Sequence, residues 1–84
     1  MDNNDINKKV LEIISESSTI DKEEILRSDN LLSDEIIDSV GMIELISCLE
    51  KYYSITFTED DLVPENFEEI QRIVYLVDKK LKNI

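Results

Sequence analysis

A serine that directly follows an acidic residue, Asp38-Ser39, stands at the start of a segment whose apolar residues recur at helical spacing. Asp38 is a good N-cap, because its carboxylate can accept a hydrogen bond from an N–H group in the first turn of a helix. Ser39 would then lie at the positive end of the helix dipole, where a phosphate on its hydroxyl would be stabilised. The pair therefore predicts a serine that is presented at a helix N-terminus.

The composition leaves few kinds of chemistry open to this serine. The chain has no histidine and one cysteine, Cys48, which excludes histidine-based acid–base catalysis and a disulfide framework. A zinc site would have to rest on carboxylates, which match the preferences of zinc poorly. A serine without a positioned base is a weak nucleophile. We therefore predict no metal site and no catalytic residue, with Ser39 as a recipient hydroxyl and Cys48 as a small buried hydrophobic side chain.

The chain is short and strongly acidic. Its 84 residues predict one small domain over residues 1–84, too thin in the core for an enclosed active site. Nine basic and 20 acidic residues give a net charge of −11, which repels nucleic acid and anionic membranes and favours basic protein surfaces. Residues 28–50 and residues 59–69 each contain six acids and no base. No apolar run is long enough for a membrane span. We expect the protein to be cytoplasmic and monomeric.

Three segments carry apolar residues at steps of three and four, which predicts three main helices. They cover about residues 4–17, residues 39–53, and the C-terminal part of the chain from Asn66 onward. The polar cluster at residues 15–19 is expected to end the first helix. Asn66 and Glu69 have the spacing of a capping box for the last helix. The predicted fold is all-α, with one further short helix at residues 59–62.

Two connections join these helices. The first, residues 18–37, is long, and it contains one predicted helical turn at residues 22–26, for which Asp21 and Glu24 have capping-box spacing. Residues 54–57 are predicted to be a loop with two buried side chains, Ile55 and Phe57. The long connection is expected to be held against the bundle by its apolar residues, which are Ile20, Ile25, Leu31, Leu32, Ile36 and Ile37.

These features together resemble the acyl carrier protein family, which includes the peptidyl and D-alanyl carrier proteins. The resemblance rests on the stretch from Leu31 through Asp38-Ser39 to Glu50, on the acidic segment 55–62, and on residues 66–70. It implies an acyl-carrier-like four-helix bundle with three main helices, one short helix and a long first loop. It also implies that a phosphopantetheinyl transferase moves 4′-phosphopantetheine from coenzyme A onto Ser39, next to Asp38.

The resemblance further implies the partners of such a carrier. They are the transferase, an adenylating acyl or aminoacyl ligase or an acyltransferase that loads the cargo, and a downstream enzyme that accepts it. The residues that correspond to partner-facing positions, or that stand where this chain departs from the common pattern, are Val40, Met42, Glu44, Glu50 and Phe67.

The departures bear on the pathway. Val40 stands where leucine is common, Gly41 and Met42 replace an acid and a small polar residue, and residues 35–37 lack a glycine that many members have. The run Ile36-Ile37-Asp38-Ser39 looks more like carriers loaded by a stand-alone adenylating ligase. Two alternatives remain open at this point: a carrier of ordinary fatty-acid synthesis, and an unmodified acidic helical module that binds a basic protein.

Overall fold

The computed structural model describes residues 3–17 and 20–82, and every structural statement below concerns that part of the chain. It contains no β-strand there, so the predicted all-α fold with three main helices is confirmed. None of the described helices combines the length and the hydrophobicity that crossing a bilayer would require. The elements in chain order are α1 Asn3–Ser17, α2 Lys22–Arg27, α3 Ser39–Tyr53, a 3₁₀ helix Pro64–Phe67 and α4 Ile70–Lys82.

Helix α1 packs against both α3 and α4, and the hydrophobic core lies between these three helices. The apolar stripes predicted from the sequence face this core, and complete burial of one such side chain contributes about 1.5–3 kcal/mol. The buried helical residues are Ile6, Val10, Ile13 and Ile14 of α1, Leu45, Leu49 and Tyr53 of α3, and Ile70, Ile73, Val74, Leu76 and Val77 of α4.

The long first connection is held in place as the sequence predicts. The predicted helical turn is helix α2. The side chains of Ile25 and Leu31 lie in the core, and each is 1% exposed. The predicted capping box is wrong, because Asp21 occupies the N-cap position without a side-chain hydrogen bond to the helix. Ser18 and Thr19, part of the cluster predicted to end the first helix, lie outside the described residues.

A closed turn ends this connection immediately before Asp38. The Asn30 Oδ1 atom accepts hydrogen bonds from the N–H groups of Leu32 and Ser33, each at 3.0 Å. Glu35 N–H then donates to Leu32 O at 3.2 Å, and Ile36 N–H donates to Leu31 O at 3.0 Å. This pair of bonds is the Schellman pattern, in which the residue at the position of Glu35 adopts a left-handed conformation. Glu35 does so, with φ 59°.

The same turn is tied to the C-terminal half of the protein. Leu31 N–H donates a hydrogen bond to the carbonyl oxygen of Glu68 at 2.7 Å, two residues before α4 begins. The Leu31 side chain is buried in the common core. The segment that leads into Asp38 is therefore fixed both by its own hydrogen bonds and by the residues that precede α4.

Helix α3 ends at a left-handed residue, Ser54, with φ 55° and ψ 45°. The following loop buries Ile55 and Phe57 as predicted, at 6% and 7% exposure. The short helix predicted at residues 59–62 is wrong, because residues 59–61 form a turn. The cause is local: Asp61 Oδ2 accepts hydrogen bonds from the N–H (2.8 Å) and the hydroxyl (3.0 Å) of Thr58, which closes a tight turn.

The short helical segment of this region comes later and is a 3₁₀ helix. Pro64 stands at its start, where the fixed φ of proline is favourable and no N–H is needed. The Asn66 side chain donates to Asp61 O at 2.9 Å, so it does not cap the last helix and the predicted capping box with Glu69 is wrong. Helix α4 begins at Ile70 instead.

Candidate functional site

Asp38 caps the N-terminus of α3, as the sequence predicts. Its backbone is extended, with φ −98° and ψ −174°, and its Oδ1 atom accepts a hydrogen bond from Gly41 N–H at 2.7 Å. Its carbonyl oxygen accepts the Met42 N–H at 2.9 Å, which starts the helical hydrogen-bond series. Ser39 is consequently the first residue of the helix, and its side chain is exposed.

Gly41 explains how the cap can be so close. A Cβ atom added to Gly41 would lie 3.1 Å from Asp38 Oδ1 and 3.6 Å from Ile37 Cγ2. The first of these distances is tighter than an ordinary van der Waals contact. A glycine inside a helix costs about 1 kcal/mol of stability relative to alanine. At Gly41 this cost is offset, because the absence of a Cβ lets the Asp38 carboxylate approach the Gly41 N–H.

The backbone around Ser39 has unused hydrogen-bonding capacity. Within residues 20–82, the N–H groups of Ser39 and Val40 form no hydrogen bond. Such unpaired donors are normal in the first turn of a helix, where they carry the positive end of the helix dipole. An anionic group attached to the Ser39 hydroxyl would lie beside these donors and would be stabilised by them.

An open groove of about 500 Å³ runs past Ser39. Its polar lining consists of Glu35, Asp38 and Ser39 itself. Its apolar lining consists of Leu32, Ile37, Met42 and Pro64, which come from the first connection, from α3 and from the start of the 3₁₀ helix. The unpaired N–H groups of Ser39 and Val40 therefore fit a phosphodiester on Ser39, and the apolar side chains fit a flexible chain that continues from it, whereas the carboxylates of Glu35 and Asp38 oppose its negative charge.

The exposed face of α3 beside Ser39 contains two of the five residues predicted to face partners. Val40 is 63% exposed and Glu44 is exposed, whereas Met42 is half-buried and packs against the core. Ile43, which the resemblance did not single out, is also 63% exposed. Its helical position could have revealed it, because it lies roughly 100° away from the middle of the buried stripe of α3.

Two predicted partner-facing residues have structural contacts instead. The Glu50 Oε2 atom accepts a hydrogen bond from Phe57 N–H at 3.0 Å, so this carboxylate anchors the loop after α3. Phe67 has no exposed surface and packs in the core. A completely buried ring cannot contact a partner in this conformation, so Phe67 does not form part of the surface of the site.

The prediction that Cys48 is buried is wrong, because its side chain is exposed on α3. The prediction followed the general tendency of cysteine to be buried. The helical position gives the physical reason for the difference. Cys48 lies roughly 115° from the middle of the stripe formed by Leu45, Leu49 and Tyr53 with the half-buried Met42 and Ile46.

Two side chains outside the groove, those of Asp61 and Tyr53, have pKa values that differ from their usual ones. Burial acts to raise the pKa of Asp61, but hydrogen bonds from Lys80 and Thr58 outweigh it and hold that pKa below its usual value. The ion pair between Asp61 and Lys80 ties the turn before the 3₁₀ helix to α4. Burial raises the pKa of Tyr53, and the charges of Tyr52 and Asp5 raise it further.

Comparison with known proteins agrees with this geometry. A family model described as a phosphopantetheine attachment site matches residues 8–74, which include the whole groove. The chain is 30% identical over 79 residues to the acyl carrier protein of Buchnera aphidicola subsp. Schizaphis graminum, covering 94% of this chain and 98% of that protein. It is 33% identical to the acyl carrier protein of Borreliella burgdorferi strain ZS7, with 95% and 98% covered.

A third relative is an acyl carrier protein homolog of Mycoplasmopsis pulmonis, 30% identical over 83% of this chain and 92% of that protein. The matches extend over nearly the full length, and they coincide with a helical bundle that presents a capped serine beside an open groove. The family is one of carriers, which are served by a transferase and by acyl-handling enzymes. This chain belongs to the acyl carrier protein family, whose prosthetic group is covalently attached 4′-phosphopantetheine.

Proposed function

We propose that Ser39 is the residue that carries 4′-phosphopantetheine. The supporting observation is its position: an exposed hydroxyl on the first residue of α3, capped by Asp38, within the region matched by the family model. When attached, the group supplies a terminal thiol that can hold an acyl or aminoacyl cargo as a thioester. The chain over residues 1–84 then acts as one carrier domain.

The modification requires a separate transferase, because within the described residues no side chain forms a hydrogen bond with the Ser39 hydroxyl through which it could take the proton. Asp38 is engaged with Gly41 N–H, and the chain has no histidine. In the transfer, the Ser39 Oγ atom forms a bond to the phosphorus of the 4′-phosphate. The P–O bond of the coenzyme A pyrophosphate breaks, and adenosine 3′,5′-bisphosphate leaves. The serine proton passes to a base of the transferase, and Mg²⁺ supplied with coenzyme A would neutralise charge on the pyrophosphate.

The residues of the carrier have positioning roles in this scheme. Asp38 fixes the start of α3, which leaves Ser39 exposed as the first residue of the helix. The free N–H groups of Ser39 and Val40 stabilise the negative charge of the phosphodiester. The apolar side chains of Leu32, Met42 and Pro64 give the attached arm a surface against which it can rest.

The partner surface of the carrier is the exposed part of α3 that follows Ser39. Val40 and Ile43 supply apolar area at its centre, Met42 supplies a half-buried edge, and Glu44 supplies charge. A surface with this composition suits partner enzymes that present an apolar patch surrounded by basic residues. The negative net charge accelerates such encounters, and this effect decreases with salt.

For the pathway, we favour loading by a stand-alone adenylating ligase, in a cytoplasmic and specialised route. The support comes from Val40, Gly41 and Met42, which replace the common leucine, acid and small polar residue directly beside Ser39. The modified protein can be offered to adenylating ligases with acyl and amino acids, and in parallel to the acyltransferase of fatty-acid synthesis. Faster loading by the acyltransferase would favour the fatty-acid alternative.

The attachment can be tested by intact-mass measurement. The apo-protein is incubated with coenzyme A, Mg²⁺ and a transferase of broad specificity, and we expect a gain of one phosphopantetheinyl group. Ser39→Ala should abolish the gain. Ser47→Ala is the matched control, since Ser47 is another exposed serine on the same helix, and it should be modified like the wild type. An unchanged wild-type mass, or a gain that survives Ser39→Ala, would overturn the proposal.

Ser39→Ala, together with a charge-reversal variant, also tests the alternative of an unmodified acidic interaction module. Such a module would keep full cellular function with Ser39→Ala and lose it when Glu44 and Glu50 are reversed in charge. A carrier should lose function completely with Ser39→Ala, because the thiol that holds the cargo is never attached.

A further inference from the structure

The turn that leads into Asp38 is closed by hydrogen bonds that converge on one residue, Asn30. Its side-chain Oδ1 atom accepts the N–H groups of Leu32 and Ser33, each at 3.0 Å. Its carbonyl oxygen accepts the N–H of Asp34 at 2.9 Å. Asn30 therefore binds three of the next four N–H groups along the chain, a role that the short amide side chain of asparagine suits.

The same turn supplies one wall of the groove beside Ser39. Leu32, Glu35 and Ile37 line the groove and belong to this turn, whereas Asn30 itself does not line it. The N–H of Leu32 donates directly to the Asn30 side chain, and the Leu32 side chain is half-buried against the core. The Asn30 side chain thus fixes the backbone of an apolar residue of this wall.

Packing does not hold the middle of the turn. Residues 33–35 are exposed, so no burial of apolar side chains fixes the backbone between Leu32 and Ile36. Without the Asn30 acceptor, the N–H groups of Leu32 and Ser33 would lose their partner, and water would replace it in an open turn. The loss of this side chain should therefore increase the share of molecules in which the turn is open.

An open turn has a specific consequence for an enzyme that binds the closed groove. Such an enzyme binds only the molecules in which the turn is closed, so its apparent affinity falls in proportion to their share. The chemical step that follows binding does not change. A transferase that delivers phosphopantetheine to Ser39 should therefore respond to an open turn in KM and not in kcat.

We propose that Asn30 is a positioning residue for the modification of Ser39: its side chain holds the backbone of Leu32, and through it the wall of the groove, in the form that the phosphopantetheinyl transferase binds. This inference rests on the proposed function, because it assumes that Ser39 is the modified residue. Asn30 acts through Leu32 and takes no part in the transfer of the phosphate.

The test measures transferase kinetics and thermal unfolding for variants of the whole chain. Asn30→Ala removes the acceptor, whereas Asn30→Asp keeps an oxygen in the same place. Ser28→Ala is the hydrogen-bond control, because it removes a bond of 2.6 Å from the Ser28 hydroxyl to Asp34 Oδ2 in the same connection, and neither residue lines the groove. Ile73→Val is the stability control, because Ile73 is completely buried on α4 and does not line the groove.

We expect Asn30→Ala to raise KM by about threefold to tenfold with kcat unchanged, the factor that corresponds to the loss of a hydrogen bond. Asn30→Asp should restore KM to near the wild-type value. Asn30→Ala and Ile73→Val should both lower Tm by about 4–8 °C. Ile73→Val and Ser28→Ala should nevertheless keep the wild-type KM at a temperature where all variants are folded. A purely structural role of Asn30 would lower Tm without raising KM.

A double-mutant cycle with Leu32 tests the route through which Asn30 acts. Leu32→Ala removes the apolar side chain that the turn positions, so Asn30→Ala should raise KM less in that background than in the wild type. Equal effects in both backgrounds would overturn the proposed route. Asn30→Ser keeps a hydroxyl as a weaker acceptor and should give an intermediate KM, which provides the same comparison if Asn30→Ala does not fold.

A wild-type KM in Asn30→Ala would overturn this inference. An equal rise of KM in Ile73→Val or Ser28→Ala would also overturn it, because the cause would then be general stability or the connection as a whole. These results would leave the proposed function intact. A wild-type chain that takes up no phosphopantetheine would instead overturn the proposed function and this inference together.

Discussion

The carboxylate of Asp38 lies 2.7 Å from the backbone nitrogen of Gly41, and a methyl group on Gly41 would come within 3.1 Å of the same oxygen. The two residues therefore form one unit at the start of α3. The aspartate closes the first turn, and the glycine leaves the space that this contact requires. Ser39 lies between them in the sequence, as the first residue of the helix that they begin.

Removing the cap should destabilise the protein. Asp38→Ala leaves an N–H group of the first turn without its partner, and we expect a loss of about 1 kcal/mol in the free energy of unfolding. Urea unfolding at neutral pH measures it. Asp38→Asn is the control, because asparagine is an equally good N-cap without the charge, and it should retain most of the stability. A similar loss in both variants would mean that the charge, and not the hydrogen bond, is what stabilises the helix start.

The unit formed by Asp38 and Gly41 can be tested with a double-mutant cycle. Alanine in place of Gly41 improves helix propensity by about 1 kcal/mol, but it also crowds the capping carboxylate. We expect Gly41→Ala to be near neutral in the wild type and stabilising by about 1 kcal/mol in the Asp38→Ala background, where the carboxylate is absent. Urea unfolding of the four proteins gives the coupling free energy. A coupling of zero would show that the two residues act independently.

Tyr53 offers a stabilising substitution. Its hydroxyl is buried, and within the part of the chain that the structure describes it has no hydrogen-bond partner. Leaving a buried polar group unpaired costs about 1–3 kcal/mol, so Tyr53→Phe should raise the free energy of unfolding by about 1 kcal/mol. Thermal unfolding with Tyr52→Phe as the control measures this, because Tyr52 is largely exposed and should change little. A less stable Tyr53→Phe would indicate that the hydroxyl has a partner after all.

The ion pair between Asp61 and Lys80 predicts an acid-sensitive contribution to stability. The pKa of Asp61 is lowered in the folded protein, so its contribution is fully present above the unfolded pKa of about 3.9 and is lost as the pH falls through the lower folded value. Urea unfolding between about pH 6 and pH 2.5 should show a steep loss in the wild type. Asp61→Asn should reduce stability near neutral pH and flatten that acid limb. An acid limb of unchanged slope would assign the effect to other carboxylates.

Local patterns predicted the parts of the fold that depend on neighbouring residues. The cap at Asp38 depends on a hydrogen bond three residues along the chain, and the buried faces of α1, α3 and α4 depend on periodicity alone. The helix predicted at residues 59–62 failed for a local reason, because the Asp61 side chain accepts hydrogen bonds from Thr58, three residues earlier, and closes a turn. The ion pair between Asp61 and Lys80, 19 positions later, is a contact on which local patterns carry no information.

In the proposed site, the residues around Ser39 predict the capped start of α3, whereas they predict nothing about the backbone of Glu35. Its left-handed backbone arises from the turn that Asn30 begins, and a glutamate gives no sign of that conformation. Cys48 differs for another reason, because its angle around α3 places it outside the buried stripe although cysteine is usually a buried residue.

The Leu31 N–H group donates a hydrogen bond to Glu68 O. The exchange rate of this amide proton therefore depends on whether the two segments that the bond joins stay together. The bond joins the segment that leads into Ser39 to the start of α4, so it breaks only when these two regions separate. Native-state hydrogen exchange at this one amide therefore reports the free energy of that separation. If the attached arm or a docked enzyme changes how firmly the two halves hold together, the exchange rate of Leu31 will show it, although Leu31 itself contacts neither.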